Sequence, residues 1–257
     1  MRAQDRVRNT VYRALYRLTG PGRGVRVILL YHSVGTDAPQ SIPVAVFARQ
    51  LEDLMRRKFQ VVRLRDLPTK LASAPPDANI ACVTFDDGYR DNYECAVPVL
   101  EEFGVKATFF VATGFLGKTF PTFSGEFPMM SAAQVRELGG LGHEIGAHTV
   151  THPKLTTVPL ATARAEIEIS RRFLEDLLSS AVVSFAYPKG EYNAGVEALL
   201  PPLGFTVAAT TRAALVNEEP DWLALPRVWI GRQLSRGAFA ARTSPALDWY
   251  TWLWRWS

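Results

Sequence analysis

The feature that most constrains this chain is a rhythm that begins near residue 25. Short, nearly continuous apolar runs alternate with amphipathic segments of helix length up to about residue 230. Runs at 27–31, 60–64, 80–85, 107–112, 143–147, 182–187, 205–210 and 225–230 read as strands. A strand apolar on both faces must be covered on both faces, which is the condition of a parallel sheet sheathed by helices. The intervening segments carry helical spacing. Phe47, Leu51, Leu54 and Met55 share a face within 46–58, as do Ile167, Ser170 and Leu174 within 159–178. Helices are also expected over 91–103 and 193–200. Another should run from Ser131, whose Ser-x-x-Gln pattern is that of a capping box, to about 141. Eight strands alternating with helices imply an α/β single domain, either a (β/α) barrel or a distorted relative of one. A doubly wound open sheet is the alternative. Residues 115–130 read as a Gly-, Phe- and Pro-rich loop able to wall a site.

Outside the rhythm, residues 4–18 read as a basic amphipathic helix, with Val7, Val11, Leu15 and Leu18 on one face and Arg6, Arg8, Arg13 and Arg17 around them. Residues 20–24 read as a flexible break, so the N-terminal unit is 1–24 and the main domain 25–240. Residues 241–257 form an aromatic tail holding four of the six Trp. The chain of 257 residues carries 23 Arg, 6 Lys and a net charge of +4. The basic residues cluster only near the N-terminus, where no aromatic platform accompanies them, so a nucleic-acid partner is not expected. No apolar run approaches the length of a membrane span, and the N-terminus lacks the apolar core of a secretory signal. The expected compartment is the cytoplasm. Contact with an anionic membrane through the basic helix and the Trp-rich tail is weighed against both ends packing on the barrel. Cys82 and Cys95 are expected to be two buried thiols without a disulfide framework.

In an alternating β/α fold, chemistry sits on the loops that follow the strands. After 80–85 come Asp86, Asp87 and Gly88. Neighbouring residues in a regular strand point to opposite faces, so both carboxylates share one site only if the backbone turns, as Gly88 permits. Two adjacent buried carboxylates call for a cation or a shared proton; a helix N-cap is the plainer alternative. After 143–147 come His148 and His152. Their i, i+4 spacing stacks both imidazoles on one face of a helical turn, ended by Pro153. Two imidazoles and a carboxylate, with positions left open, suit a catalytic Zn²⁺ or a similar divalent metal. Three of the four histidines, including His32, fall just after strands. His143 precedes its strand and is expected to be structural.

Thr84-Phe85-Asp86-Asp87-Gly88 and His148-Thr149-Val150-Thr151-His152, in that order, resemble the first two motifs of the polysaccharide deacetylases (carbohydrate esterase family 4, the NodB-homology domain). The resemblance spans 25–240, with its best-matching core at 79–230. It implies a deformed (β/α) barrel and metal-dependent removal of acetyl groups from N-acetylated sugars. Carried over, Asp87, His148 and His152 are the metal ligands, for Zn²⁺ foremost and Co²⁺, Ni²⁺ or Mn²⁺ as alternatives. Asp86 is the general base. Residues 185–190 match the third motif loosely, which places Tyr187 and Pro188 at the substrate, with a backbone N–H of Tyr187 or a neighbour on the oxyanion. The family's arginine at the start of that motif is absent, and Arg227 is expected to supply the missing cation and to line the substrate groove. The family's general-acid histidine near the C-terminus is absent too. Leu30-Tyr31-His32-Ser33-Val34 instead resembles the circularly permuted poly-N-acetylglucosamine deacetylase branch, which makes His32 the acid. A lipid-linked sugar as substrate and a non-catalytic sugar-binding module are the competing readings.

Overall fold

The computed structural model describes residues 3–36, 40–122, 125–232 and 234–253. In chain order the strands are β1 (Arg26–Tyr31), β2 (Gln60–Val61), β3 (Ile80–Phe85), β4 (Thr108–Val111), β5 (Thr119–Thr122), β6 (Gly125–Pro128), β7 (Glu144–Ala147), β8 (Ser184–Ala186), β9 (Val207–Ala209) and β10 (Val228–Trp229). The helices are α1 (Ala3–Thr19), α2 (Val44–Arg56), α3 (Leu67–Ser73), α4 (Val97–Glu102), α5 (Ala132–Gly140), α6 (Leu160–Leu178), α7 (Ala194–Glu197), α8 (Arg236–Arg242) and α9 (Ala246–Leu253).

The main sheet runs β10-β1-β3-β4-β7-β8-β9 and is parallel throughout. Its two edges meet through one segment. Leu225 exchanges backbone hydrogen bonds with the β9 edge, donating to Ala208 O and accepting from Thr210 N. A few residues on, Val228 and Trp229 pair with Leu29 and Leu30 of β1. The sheet therefore closes into a barrel, and the doubly wound alternative is set aside. The closure is uneven at β3. There β2 pairs with Ile80 and Ala81 while β4 pairs with Thr84 and Phe85, so two strands share one edge of β3. The expected strand 60–64 is accordingly short. After Val62 the chain bends into a 3₁₀ turn at Leu64–Asp66, with Leu64 N donating to Thr108 Oγ1.

Every residue of β1 from Val27 on, and all of β3 and β4, is buried, as double-sided covering requires. Phe85 stacks on Phe109 at 4.8 Å and tilts against Tyr31 at 5.5 Å, so aromatic rings fill the space between the sheet and α2. Glu144 is buried among the strands. It accepts from Thr108 Oγ1 (2.7 Å), Arg65 N (2.9 Å) and Ser184 Oγ, and burial holds its carboxyl above the usual range.

Several expectations need correction. The helix expected over 91–103 opens with a π-helical turn at Asn92–Ala96 and continues as α4. Pro98 is the cause: it lacks an N–H and its ring clashes with the carbonyl four residues back, which a wider turn relieves. Residues 115–130 are not all loop, because β5 and β6 form an antiparallel hairpin pairing Phe120 with Phe127. The end of the 20–24 segment packs closely on the body of the chain. Gly24 sits at φ +66, where a side chain is strained, and a Cβ there would lie 2.5 Å from Pro76 O. The tail beyond 241 is helical to Leu253, and α1 packs on α8 and α9 with Tyr12 buried beneath Arg242. Trp254 and Trp256 lie outside the described residues, as does the side chain of Trp252; Trp249 is about half exposed. No described helix is long and apolar enough to cross a membrane. Cys82 and Cys95 are both free thiols, but only Cys82 is buried; Cys95 is partly exposed.

Candidate active site

Because the strands are parallel, the loops after β1, β3, β7 and β8 all emerge at one end of the barrel. They surround a cavity of about 710 Å³ lined by His32, Asp86, Asp87, His148 and His152. That size lies within the ordinary range for small-ligand sites.

The carboxylates meet there because the chain reverses. Asp86 N still donates to Tyr31 O, continuing the ladder between β1 and β3. Gly88 N then folds back to Asp86 O at 2.9 Å, with φ at +71 for Asp87 and +91 for Gly88. A left-handed aspartate is uncommon, and such strain concentrates at functional sites. Asp86 faces Arg227, which is fully buried. The guanidinium donates to both carboxylate oxygens (2.6 and 2.7 Å), to Thr84 Oγ1 (3.2 Å) and to Thr210 O (2.8 Å). Burial alone would raise the Asp86 pKa. Arg227 and His148 outweigh burial and hold the carboxyl below its usual value.

Asp87 faces the histidines. Its Oδ1 lies 3.5 Å from His148 Nε2 and 3.4 Å from His152 Nε2, and the three ligating atoms fall within 4.8 Å of one another. His148 Nδ1 sits 2.7 Å from Ala186 O. A carbonyl can only accept, so Nδ1 carries the proton and Nε2 is directed at Asp87. Burial pushes His152 down to about 4, with His148 adding to the effect, so its ring is neutral at physiological pH. For His148, burial lowers the pKa, but Asp87 and Asp86 outweigh it and the net shift is upward. Asp87 is pushed up by burial and pulled well below the carboxylate range by its contact with His148 and the charges of His32 and His152.

The two histidines do not converge on a helical turn, contrary to the reading from spacing. Residues 148–152 form an irregular loop with φ at +66 for Thr149 and +57 for His152, and His152 N donates to Thr149 Oγ1 at 3.0 Å. His32 lines the cavity with its Nδ1 buried and without a hydrogen-bond partner among the described residues. Burial lowers its pKa, against the pull of Asp87 and Asp86. His143 lies at the other end of its strand, as expected, with Nδ1 accepting from Ala107 N and Nε2 3.1 Å from Glu101.

Three residues expected at the substrate lie elsewhere. Tyr187 is a core residue: its ring stacks on Tyr192 and its hydroxyl donates to Leu223 O. Its backbone N–H is engaged by Ala209 O, so it is not free for an oxyanion. Pro188 is buried beneath the loop, and Arg227 reaches Asp86 without lining the cavity. The wall is formed instead by Tyr89, Phe115, Phe120, Lys189 and Trp229. Phe120, from the unexpected hairpin, packs edge-on against His152 at 5.4 Å. Tyr89 lines the cavity beside Asp87 and packs edge-on against Phe120 and Phe127. Its place one residue past Asp-Asp-Gly was the available signal for it.

The polysaccharide deacetylase family profile matches residues 73–208, just over half of the chain. The chain is 27% identical over 215 residues to YxkH of Bacillus subtilis, a protein named for the same family, and the match covers 83% of this chain and 74% of that one. It is 30% identical over 177 residues to a chitooligosaccharide deacetylase of Sinorhizobium fredii, covering 66% and 67%. In three dimensions it resembles IcaB from Ammonifex degensii, with a TM-score of 0.74 at 25% identity and coverage of 89% and 98%. It also resembles the Streptococcus pyogenes deacetylase PplD, with a TM-score of 0.76 at 24% identity and coverage of 86% and 99%. This chain belongs to the polysaccharide deacetylase family, and its barrel is the deformed (β/α) barrel of deacetylases.

Proposed function

We propose that this protein is a metal-dependent hydrolase that removes acetyl groups from N-acetylated sugars of a polysaccharide or glycoconjugate. The observation that carries the reading is the convergence, in one cavity, of Asp87, His148 and His152 with two separate acid–base groups, Asp86 and His32.

The donor set fits a cation. Asp87 is ionised, His152 is neutral, and the Ala186 carbonyl orients His148 with Nε2 toward the other two. Two imidazoles and a carboxylate are a ligand set for Zn²⁺, with Co²⁺, Ni²⁺ and Mn²⁺ as alternatives. Bound there, a divalent cation supplies Lewis-acid polarisation of the acetyl carbonyl and a lowered pKa for the attacking water.

The chain's own residues do the rest. Asp86, kept ionised by Arg227, takes the proton from water as it attacks the acetyl carbon. The two bonds from Arg227 also fix the carboxylate plane, so the base is oriented before substrate arrives. An amine leaves poorly without a proton. His32 Nδ1 is buried, so Nε2 is the nitrogen left to deliver that proton to the sugar amine. Acetate and a free amino sugar result. Tyr89, Phe120 and Trp229 offer aromatic surface to the apolar faces of a sugar ring, and Lys189 adds a cation at the rim. The test is acetate release from a panel of N-acetylated oligosaccharides. The reading expects release by the native protein and loss in D86N. An absence of release across chitin-type, peptidoglycan-type and β-1,6-linked substrates would argue against it.

A further inference from the structure

Within the loop between His148 and His152, His152 N donates to the Thr149 hydroxyl, and the segment after β4 adds two backbone bonds, Thr113 N to Thr149 O (3.1 Å) and Gly114 N to Val150 O (2.8 Å). Two of the loop's residues, Thr149 and His152, sit at positive φ, where side-chain-bearing residues are strained. The carboxylate that engages the loop comes from another element. Glu166, on α6, accepts from Val150 N at 2.9 Å and from Thr151 N at 2.8 Å through Oε2, and from Thr151 Oγ1 at 2.7 Å through Oε1. Both oxygens are used, on two consecutive backbone N–H groups and a hydroxyl. All three donors lie between the two histidines.

The geometry points to Glu166 as the positioning residue for the His148–His152 pair: by clamping the loop from α6 it presets the two imidazoles for the cation. The inference rests on the metal reading above. Its helix is itself firmly seated, because Ala163, Ile167, Ser170 and Leu174 bury the inner face of α6. Glu166 stands beside that line and is only half-buried, so it reaches the loop without being a core residue. The three bonds hold the loop in the shape that brings His152 Nε2 to 3.4 Å from Asp87. Without them the 150–151 amides lose their acceptor, the loop relaxes about the two backbone bonds that remain, and the two imidazoles must be ordered at the expense of cation binding. Outer partners of metal ligands commonly contribute about ten- to a hundred-fold in metal affinity.

The test is metal affinity itself, read on full-length protein by competition with a chromophoric chelator for Zn²⁺, together with the Co²⁺ absorption spectrum. E166A should bind Zn²⁺ about ten- to a hundred-fold more weakly and shift the Co²⁺ bands. E166Q keeps an acceptor oxygen for the two N–H groups and should recover most of the affinity. Ala suits a half-exposed helix position, and E166L, which keeps bulk but accepts nothing, carries the same expectation should E166A not fold. Thermal unfolding of the metal-free proteins separates roles, since a purely structural glutamate would lower the melting temperature and leave affinity and spectrum alone. That result, or an E166A affinity within two-fold of the native protein, overturns the inference while leaving the metal reading intact. A native protein that binds neither Zn²⁺ nor Co²⁺ overturns both.

Discussion

Replacing Arg227 with Met tests how the base is held. Met keeps roughly the volume of the side chain and removes its charge and all four of its hydrogen bonds. Asp86 is then a buried carboxylate that has lost its paired guanidinium. Breaking a buried pair by removing one partner costs about 3–5 kcal/mol. At about 2–4 °C per kcal/mol for a chain of this size, the melting temperature should fall by roughly 6–20 °C. The sign of the pH dependence follows from the same contact. In the native protein the Asp86 pKa lies below its ordinary value of 3.8, so the ionised form contributes stability above that pH and loses it as pH falls through the lowered pKa. In R227M burial acts with less opposition and the Asp86 pKa rises. The gap in stability between the two proteins should therefore be widest at neutral pH and narrow on acidification. The acid limb of the kcat/KM profile should move to higher pH, and the rate at pH 7 should fall by about a hundred-fold or more. Urea unfolding at several pH values, with parallel acetate-release kinetics, reads both. D86N/R227M removes both charges and should recover much of the stability without the activity. An R227M protein as stable as native, with its acid limb unmoved, would refute the account of the base.

Other outcomes follow from the same geometry. D87N should bind metal much more weakly, whereas D86N should retain metal and lose about a hundred-fold or more in rate; equal metal content and equal rates in the two would reverse the assignments. H32A should keep fold and metal, lose most amide hydrolysis, and lose much less with an activated aryl acetate, whose leaving group departs unprotonated; equal, unchanged rates on both substrates would move the acid elsewhere. The cation and a proton compete for His148 Nε2, whose pKa is raised above 6.5, while His152, near 4, has no proton to give at neutral pH. Zn²⁺ binding at pH 6 should therefore release about one proton from the pair and weaken as pH falls; calorimetry in buffers of different ionisation enthalpy reads that number.

The parts of this molecule legible in its sequence are those that depend on neighbours along the chain. The apolar runs mark all eight strands of the sheet, most plainly β1, β3, β4, β7, β8 and β9, because a doubly covered strand has no polar face to disguise it; β2 and β10 are partly exposed. Asp86, Asp87, His148 and His152 stand out because each pair is only one or four residues apart. The direction of Arg227 was half legible: a cation was needed for Asp86, but only the pairing of β10 with β1 and of Leu225 with β9 brings it there. What stayed hidden depends on contacts between distant segments. Tyr187 is placed at the substrate by the loose third-motif match, yet its ring turns into the core and its N–H into the sheet. The hairpin of β5 and β6 has a composition rich in Gly, Phe and Pro that reads as loop, and its pairing is set by position. Glu166 is one acidic residue among several on an amphipathic helix, and nothing in its spacing announces the loop it holds. The positive φ at His152 likewise breaks the helical turn that an i, i+4 pair suggests.

On the proposed mechanism the acetyl group is removed only while Asp87, His148 and His152 hold a cation. The most direct test of this is acetate release from an N-acetylated oligosaccharide by one preparation carried through three states: as purified, after exhaustive chelation with metal content measured, and after adding back Zn²⁺ or Co²⁺. Activity is expected in the first state, loss in the second in proportion to metal removed, and recovery in the third. Full acetate release by protein shown to be free of metal would contradict it.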